Sequence, residues 1–172
     1  MAHPLLLTVV GPDRPGLVER VATVVATHGG NWLESRLVHL GGHFAGVVRV
    51  EVPSENQEAL REAFRRLETD GLSVTVAAAA PAEGAPGRVV RLEVVGLDRP
   101  RIVSEISAAI AGRGFNVEEF ISEVSSAPMT AEPLFVAKLR LAAPLDADLA
   151  ALRRDLEKIA GELMVEVMLD EG

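Results

Sequence analysis

The chain contains no cysteine. Disulfide frameworks, zinc sites built on thiolates and cysteine nucleophiles are therefore excluded, because each of them needs a sulfur atom. No apolar run of about 18 residues occurs, and the N-terminus lacks the basic region and apolar core of a signal peptide. We therefore expect a cytoplasmic protein without a membrane partner.

Positive charge is also scarce. The 17 basic residues are outnumbered by 25 acidic ones, which gives a net charge of −8. The densest basic cluster, at Arg61, Arg65 and Arg66, alternates with glutamates, a pattern typical of a solvated helix face. Proteins that bind nucleic acid through its phosphates normally carry a basic surplus, so we predict no direct contact with nucleic acid.

The chain does contain an internal repeat. Residues 7–31 match residues 92–116 without a gap, and 11 of the 25 positions are identical. The match includes a polar loop, since Gly-Pro-Asp-Arg-Pro-Gly at 11–16 returns as Gly-Leu-Asp-Arg-Pro-Arg at 96–101. Core packing alone keeps apolar residue types and would not keep such a loop, so the repeat predicts two copies of one small site.

Each half of the sequence has the element order βαββαβ. In the first half, apolar periodicity predicts successive elements at residues 5–10, 17–28, 31–40, 44–52, 54–70 and 72–78. In the second half they are expected at residues 89–95, 101–112, 115–124, 133–142, 146–160 and 163–169. This order predicts an α+β fold of two ferredoxin-like modules, each a four-stranded antiparallel sheet with both helices on one face.

Composition places the boundary between the two modules. The stretch 80–87 is rich in Ala, Pro and Gly and predicts a linker between a first domain at 1–79 and a second at 88–172.

The two copies differ in one loop. Gly41-Gly42 predicts a two-residue hairpin, whereas the second copy has six extra residues in the loop 125–132. The count of six is the difference between two offsets. Residues 7–31 recur 85 positions later, whereas Phe44 and Leu72 recur as Phe135 and Leu163, 91 positions later. Exposed sheet edges lead us to expect side-by-side pairing and a homo-oligomer.

These loops resemble those of the ACT domain, a ligand-sensing βαββαβ module. The resemblance rests on residues 11–16 and Gly29-Gly30-Asn31, and on 96–100 and 112–117 in the second copy. Two ACT modules with nothing else resemble the glycine cleavage system transcriptional repressor family. The resemblance implies a regulatory protein rather than an enzyme, with a small amino acid as its ligand.

An amino-acid site needs a partner for each charge of the ligand. Unpaired N–H groups near Leu17 and Val18 suit the carboxylate, and Asp13 suits the ammonium group, although Asp13 could instead cap the helix. Arg14 points either to solvent or to the carboxylate. The candidate ligand-binding residues are Gly11, Asp13, Arg14, Pro15, Gly16, Leu17, Val18, Asn31, Asp98, Arg99 and Asn116.

Asn31 follows the first helix, about 18 Å from Asp13 if the helix has about 12 residues. One domain therefore cannot bring both residues to a small ligand. Two domains packed antiparallel can, an arrangement that the ACT resemblance implies, so we expect composite sites that pair the Asp13 loop with Asn116 and the Asp98 loop with Asn31. Asn31 could instead be a left-handed turn residue. Arg101, which replaces Gly16, could fill or gate the second site.

Enzymatic functions have little support in the sequence. His39 and His43 flank the hairpin but have no obvious third metal ligand. Ser122, Ser125 and Ser126 fit no nucleophile motif, and Glu118 and Glu119 are adjacent strand residues that face opposite sides. We expect no cofactor.

Three functions remain open. The first is an amino-acid sensor, with glycine as the candidate effector, that controls gene expression through a partner transcription regulator. The second is a detached regulatory subunit of an amino-acid metabolic enzyme. The third is a scaffold that oligomerises without a ligand.

The charge balance generates a prediction about DNA. The purified chain should not retard a promoter fragment in a gel at physiological salt, because it lacks a basic surface. Sequence-specific retardation by the protein alone would contradict this prediction.

Overall fold

The computed structural model describes residues 2–80, 87–126 and 132–171. The chain divides into two units, Met1–Glu83 and Gly84–Gly172. This division falls within the stretch 80–87, of which residues 81–86 lie outside the described residues and Gly87 already belongs to a strand. The linker therefore stays a prediction.

The order βαββαβ occurs in both units. The first contains β1 (Ala2–Pro12), α1 (Leu17–Thr27), β2 (Asn31–Leu40), β3 (His43–Pro53), α2 (Gln57–Leu67) and β4 (Ser73–Ala78). The second contains β5 (Gly87–Leu97), α3 (Ile102–Gly112), β6 (Asn116–Ser126), β7 (Pro133–Pro144), α4 (Leu149–Leu163) and β8 (Val165–Glu171).

Each unit forms one four-stranded antiparallel sheet. The strand orders are β2-β3-β1-β4 and β6-β7-β5-β8. Alternation along β1 places Leu5, Leu7 and Val9 in the core with residues of both helices, while Val10 is exposed on the opposite face. The predicted fold class is therefore confirmed, with the helices on one face and the other face open.

The hairpin between β2 and β3 is as tight as the sequence predicts. Gly41 and Gly42 both have positive φ, +59° and +76°, and Leu40 pairs with His43 across the turn. In the second unit Ser125, the equivalent of Leu40, pairs with Leu134. The second loop thus has six more residues than the first, although its residues 127–131 lie outside the described residues.

One predicted equivalence is wrong. Val10 pairs with Ser73 and Val95 pairs with Glu166, so the last strands are offset by 93 positions rather than 91. One of the two extra residues lies in α4, which has 15 residues where α2 and the 3-10 turn Glu68–Asp70 have 11 and 3. The other lies in the segment before the helix, which is 145–148 in the second unit and Ser54–Asn56 in the first. As a result β8 begins two residues after the predicted 163, and Val165 rather than Leu163 corresponds to Leu72.

One helix start also differs from the prediction. The sequence predicts an element from residue 54, but Ser54–Asn56 form a 3-10 turn and α2 begins at Gln57. The side-chain amide of Gln57 donates to the carbonyl of Val52 at 3.3 Å. In the first unit the chain bends from β1 into α1 over residues 13–16, where Pro15 lies.

That bend requires a left-handed residue in both units. Gly16, with φ +88°, immediately precedes α1, and Arg101, with φ +79°, immediately precedes α3. Glycine adopts this conformation freely, whereas a residue with a side chain pays roughly 1–2 kcal/mol. The second unit therefore keeps the turn geometry at a cost in stability.

This cost generates a stability prediction. Gly16→Ala should lower the free energy of unfolding by about 1 kcal/mol, and Arg101→Gly should raise it by about 1 kcal/mol. The Arg101–Glu105 ion pair that is lost in the second variant is exposed and contributes little. Urea titration followed by circular dichroism measures both changes.

Gly161→Ala is the matched control, because Gly161 lies within α4 with open space around its Cα. Alanine at a helix interior should stabilise the protein. If Gly16→Ala behaved like Gly161→Ala, the left-handed turn would not limit stability.

Candidate functional site

The loop from Asp13 to Gly16 joins β1 to α1 and is held from two sides. The N–H of Asp13 donates to the carbonyl of Gly42 in the hairpin at 2.9 Å. The Arg14 guanidinium donates to the carbonyl of Asp70, and the Asp70 carboxylate forms an ion pair with Arg20 of α1. Arg14 is thus directed to the turn before β4 rather than away from the protein, and it acts as an anchor for the loop.

The start of α1 offers free hydrogen-bond donors. The first helical bond runs from the N–H of Arg20 to the carbonyl of Gly16 at 3.0 Å, so the preceding N–H groups at residues 17–19 have no intrahelical partner. Within the described residues no side chain caps this helix, so Asp13 does not take the capping role considered for it. The helix dipole adds positive potential at the same place, which favours an anion.

A concavity of about 260 Å³ opens at this helix start. Its lining residues are Asp13, Arg14, Gly16, Leu17, Val18, Glu19 and Phe44. The structure therefore brings together five of the residues expected from the sequence. Two carboxylates, free backbone donors and an apolar surface from Leu17, Val18 and Phe44 meet in one small volume. This combination can hold a ligand that carries both a positive and a negative charge.

Three residues of this region were not among the ligand-binding residues predicted from the sequence. Glu19 lies in the first turn of α1, and Phe44 pairs with Gly11 across the β1–β3 ladder. His39 pairs with Phe44 in the neighbouring ladder, and its Nε2 lies 3.5 Å from Oδ2 of Asp13. A two-residue turn at Gly41-Gly42 places His39 opposite Phe44. This register was the sequence signal that could have identified His39 and Phe44 as residues of the site.

The remaining expected residues of the first unit lie outside the lining set. Gly11 is buried, and a Cβ there would lie 3.1 Å from Cδ1 of Leu72, so this glycine permits close packing of β1. Asn31 is exposed at the start of β2, beyond the far end of α1 from Asp13. The left-handed role considered for Asn31 is wrong, because Gly29 takes that conformation with φ +69°.

The second unit repeats the loop with different anchors. The N–H of Asp98 donates to the carbonyl of Pro133 at 2.8 Å, which matches the bond from Asp13 to the first hairpin. The Arg99 guanidinium lies 3.9 Å from Sδ of Met164, in the turn before β8. Arg101 forms an ion pair with Glu105 on its own helix, and Asn116 is exposed at the start of β6. The backbone of the loop is therefore shared and its side-chain contacts are not.

The described residues outside the loops contain ion pairs but neither a metal-binding group nor a membrane-spanning helix. Within residues 2–80, 87–126 and 132–171, no group of three acidic or histidine side chains is arranged to hold a metal ion. No helix in these ranges is long and apolar enough to span a bilayer. Glu118 pairs with Arg140 at 3.4 Å. The hydrogen bond from Arg113 to Asp155, at 2.6 Å, holds the pKa of Asp155 below its usual range and joins α3 to α4.

Comparison with known proteins finds a family match for the first unit. The family model of the ACT domain matches residues 3–77. The glycine cleavage system transcriptional repressors of Escherichia coli (strain K12) and Shigella flexneri are each 26% identical over 166 residues, which cover 94% of this chain and 86% of theirs.

Solved structures match the chain over its whole length. A protein of unknown function from Galdieria sulphuraria is 27% identical with a TM-score of 0.85, covering 100% of this chain and 99% of its own. A candidate glycine cleavage system transcriptional repressor shares the fold at 18% identity and a TM-score of 0.71, covering 100% and 98%. The chain is therefore similar to the ACT domain over residues 3–77, repeats that fold in its second unit, and is similar over most of its length to the glycine cleavage system transcriptional repressors.

Proposed function

We propose that the chain is a regulatory sensor that binds a small amino acid, with glycine as the candidate, and controls gene expression through a partner transcription regulator. The observation that carries this proposal is the concavity at the start of α1, where free N–H donors and the carboxylates of Asp13 and Glu19 line one small volume. A zwitterion carries a negative group that the N–H donors can bind and a positive group that the carboxylates can bind.

The ligand's carboxylate accepts hydrogen bonds from the N–H groups of the first turn of α1, at the positive end of the helix dipole. Its ammonium group lies between Asp13 and Glu19. Phe44 and Leu17 limit the space left for a side chain. The volume of about 260 Å³ is smaller than that of typical drug-sized pockets, about 300–1,000 Å³, and suits a small amino acid.

The regulatory step follows from the relatives and the charge. The curated relatives are transcriptional repressors by name. With a net charge of −8, this chain suits contact with a protein regulator better than contact with DNA. Amino-acid binding would then change the affinity for that regulator, by the reciprocal coupling that links two sites on one protein.

A ligand screen tests the proposal. Thermal shift against the twenty amino acids should raise the melting temperature of the protein with a small amino acid, because ligand binding stabilises the native state. Calorimetry with that amino acid should show at least tenfold weaker binding for Asp13→Asn, since a charged hydrogen bond is worth about 1.5–3 kcal/mol.

Asp98→Asn is the matched control, because Asp98 occupies the same loop position in the second unit. We expect it to affect binding less than Asp13→Asn. Equal losses in both variants would show two equivalent sites and contradict the asymmetry between Gly16 and Arg101. Absence of binding with every amino acid would refute the sensor and favour a scaffold.

A further inference from the structure

A histidine lies at the edge of the concavity in the first unit. Nε2 of His39 is 3.5 Å from Oδ2 of Asp13, and their side chains are 59% and 46% exposed. His39 is held in this position by the ladder, where it pairs with Phe44, itself a lining residue. The sheet therefore fixes an ionisable ring beside the carboxylate that would receive the ligand's ammonium group.

We infer that His39 sets the affinity of this site for an amino acid and makes it depend on pH, an inference that rests on the proposed function. A protonated His39 places a positive charge next to Asp13 and competes with the ligand's ammonium group for the same carboxylate. A neutral His39 does not compete with the ligand's ammonium group for the Asp13 carboxylate. Histidine changes its charge between about pH 5 and 8, so the site binds more weakly as the pH falls through this range.

The other ionisable groups around His39 do not account for such a change. Arg14 and Glu19 line the same concavity, but arginine and glutamate side chains ordinarily keep their charges between about pH 5.5 and 8. The amino and carboxyl groups of a free amino acid also stay charged over this range. His43, at the start of β3, is the second histidine of the hairpin, and its Nδ1 lies 3.3 Å from the carbonyl of Gly41. It is directed to the turn and serves as a control.

The repeat supplies a natural comparison. Val124 pairs with Phe135 in the second unit, as His39 pairs with Phe44 in the first. Valine has no charge to gain, so the Asp98 loop lacks this sensitivity. Replacing His39 by valine therefore copies a side chain that the same ladder position already accommodates, and the variant should fold.

The experiment measures glycine binding to the full chain by calorimetry at pH 5.5 and pH 8.0. For the unmodified chain we expect about fourfold weaker binding at pH 5.5, the effect of one positive charge about 5 Å from the ammonium group in a water-like medium. His39→Val should bind glycine equally well at both pH values. His43→Val should keep the fourfold difference.

The outcomes separate this inference from the proposed function. If glycine binds and His39→Val keeps the full pH dependence, the inference is wrong and the sensor stands. If only His43→Val removes the dependence, the responsible ring is His43 and the inference is again wrong. If glycine binds at neither pH, the glycine site and the inference fail together.

Discussion

The chain leaves β1 at Pro12 and enters α1 at Leu17, so four residues must turn it from the sheet onto the sheet's face. A left-handed backbone at Gly16 makes this turn possible. The positions of the other site groups depend on it. The turn leaves the N–H groups at residues 17–19, which line the concavity, without intrahelical partners, and it brings Asp13 within hydrogen-bond reach of the hairpin carbonyl at Gly42.

The two units keep this turn and differ in almost everything attached to it. The first loop is anchored through Arg14 and through the ion pair between Arg20 and Asp70, while Glu105 stands where Arg20 would be and pairs with Arg101 instead. The open sheet faces differ in the same way. Thr8 pairs with Val47 in the first unit, and the equivalent pair in the second is Glu93 with Lys138. One backbone therefore presents two chemically different surfaces.

The sequence was sufficient for the element order and for the loop at Asp13. Apolar periodicity is a local property that survives in each element, and the repeat identified the polar loop without knowledge of any contact. The predicted equivalence of Leu72 and Leu163 was wrong, because α4 and the segment before it are each one residue longer than their counterparts in the first unit, which apolar periodicity does not reveal.

The remaining residues of the candidate site were harder to find, because tertiary contacts rather than local sequence bring them together. Glu19, Phe44 and His39 join the Asp13 loop only through helix geometry and strand pairing. His39 is far from Asp13 in the sequence, and neither residue type indicates the contact. Contacts of this kind depend on the registers of two ladders together, and a slip of one residue in either ladder would turn His39 to the opposite face.

The hairpin loops carry a consequence for how the chain acquires its structure. Strands β2 and β3 are joined by two residues, whereas Ser125 and Leu134, which pair across the second hairpin, are separated by eight. Closing the longer loop costs roughly 1 kcal/mol more chain entropy. The first unit also emerges first during synthesis. Its hairpin, which carries His39 and the carbonyl that holds Asp13, is therefore expected to form while the second unit is still being made, so the two loops are completed one after the other.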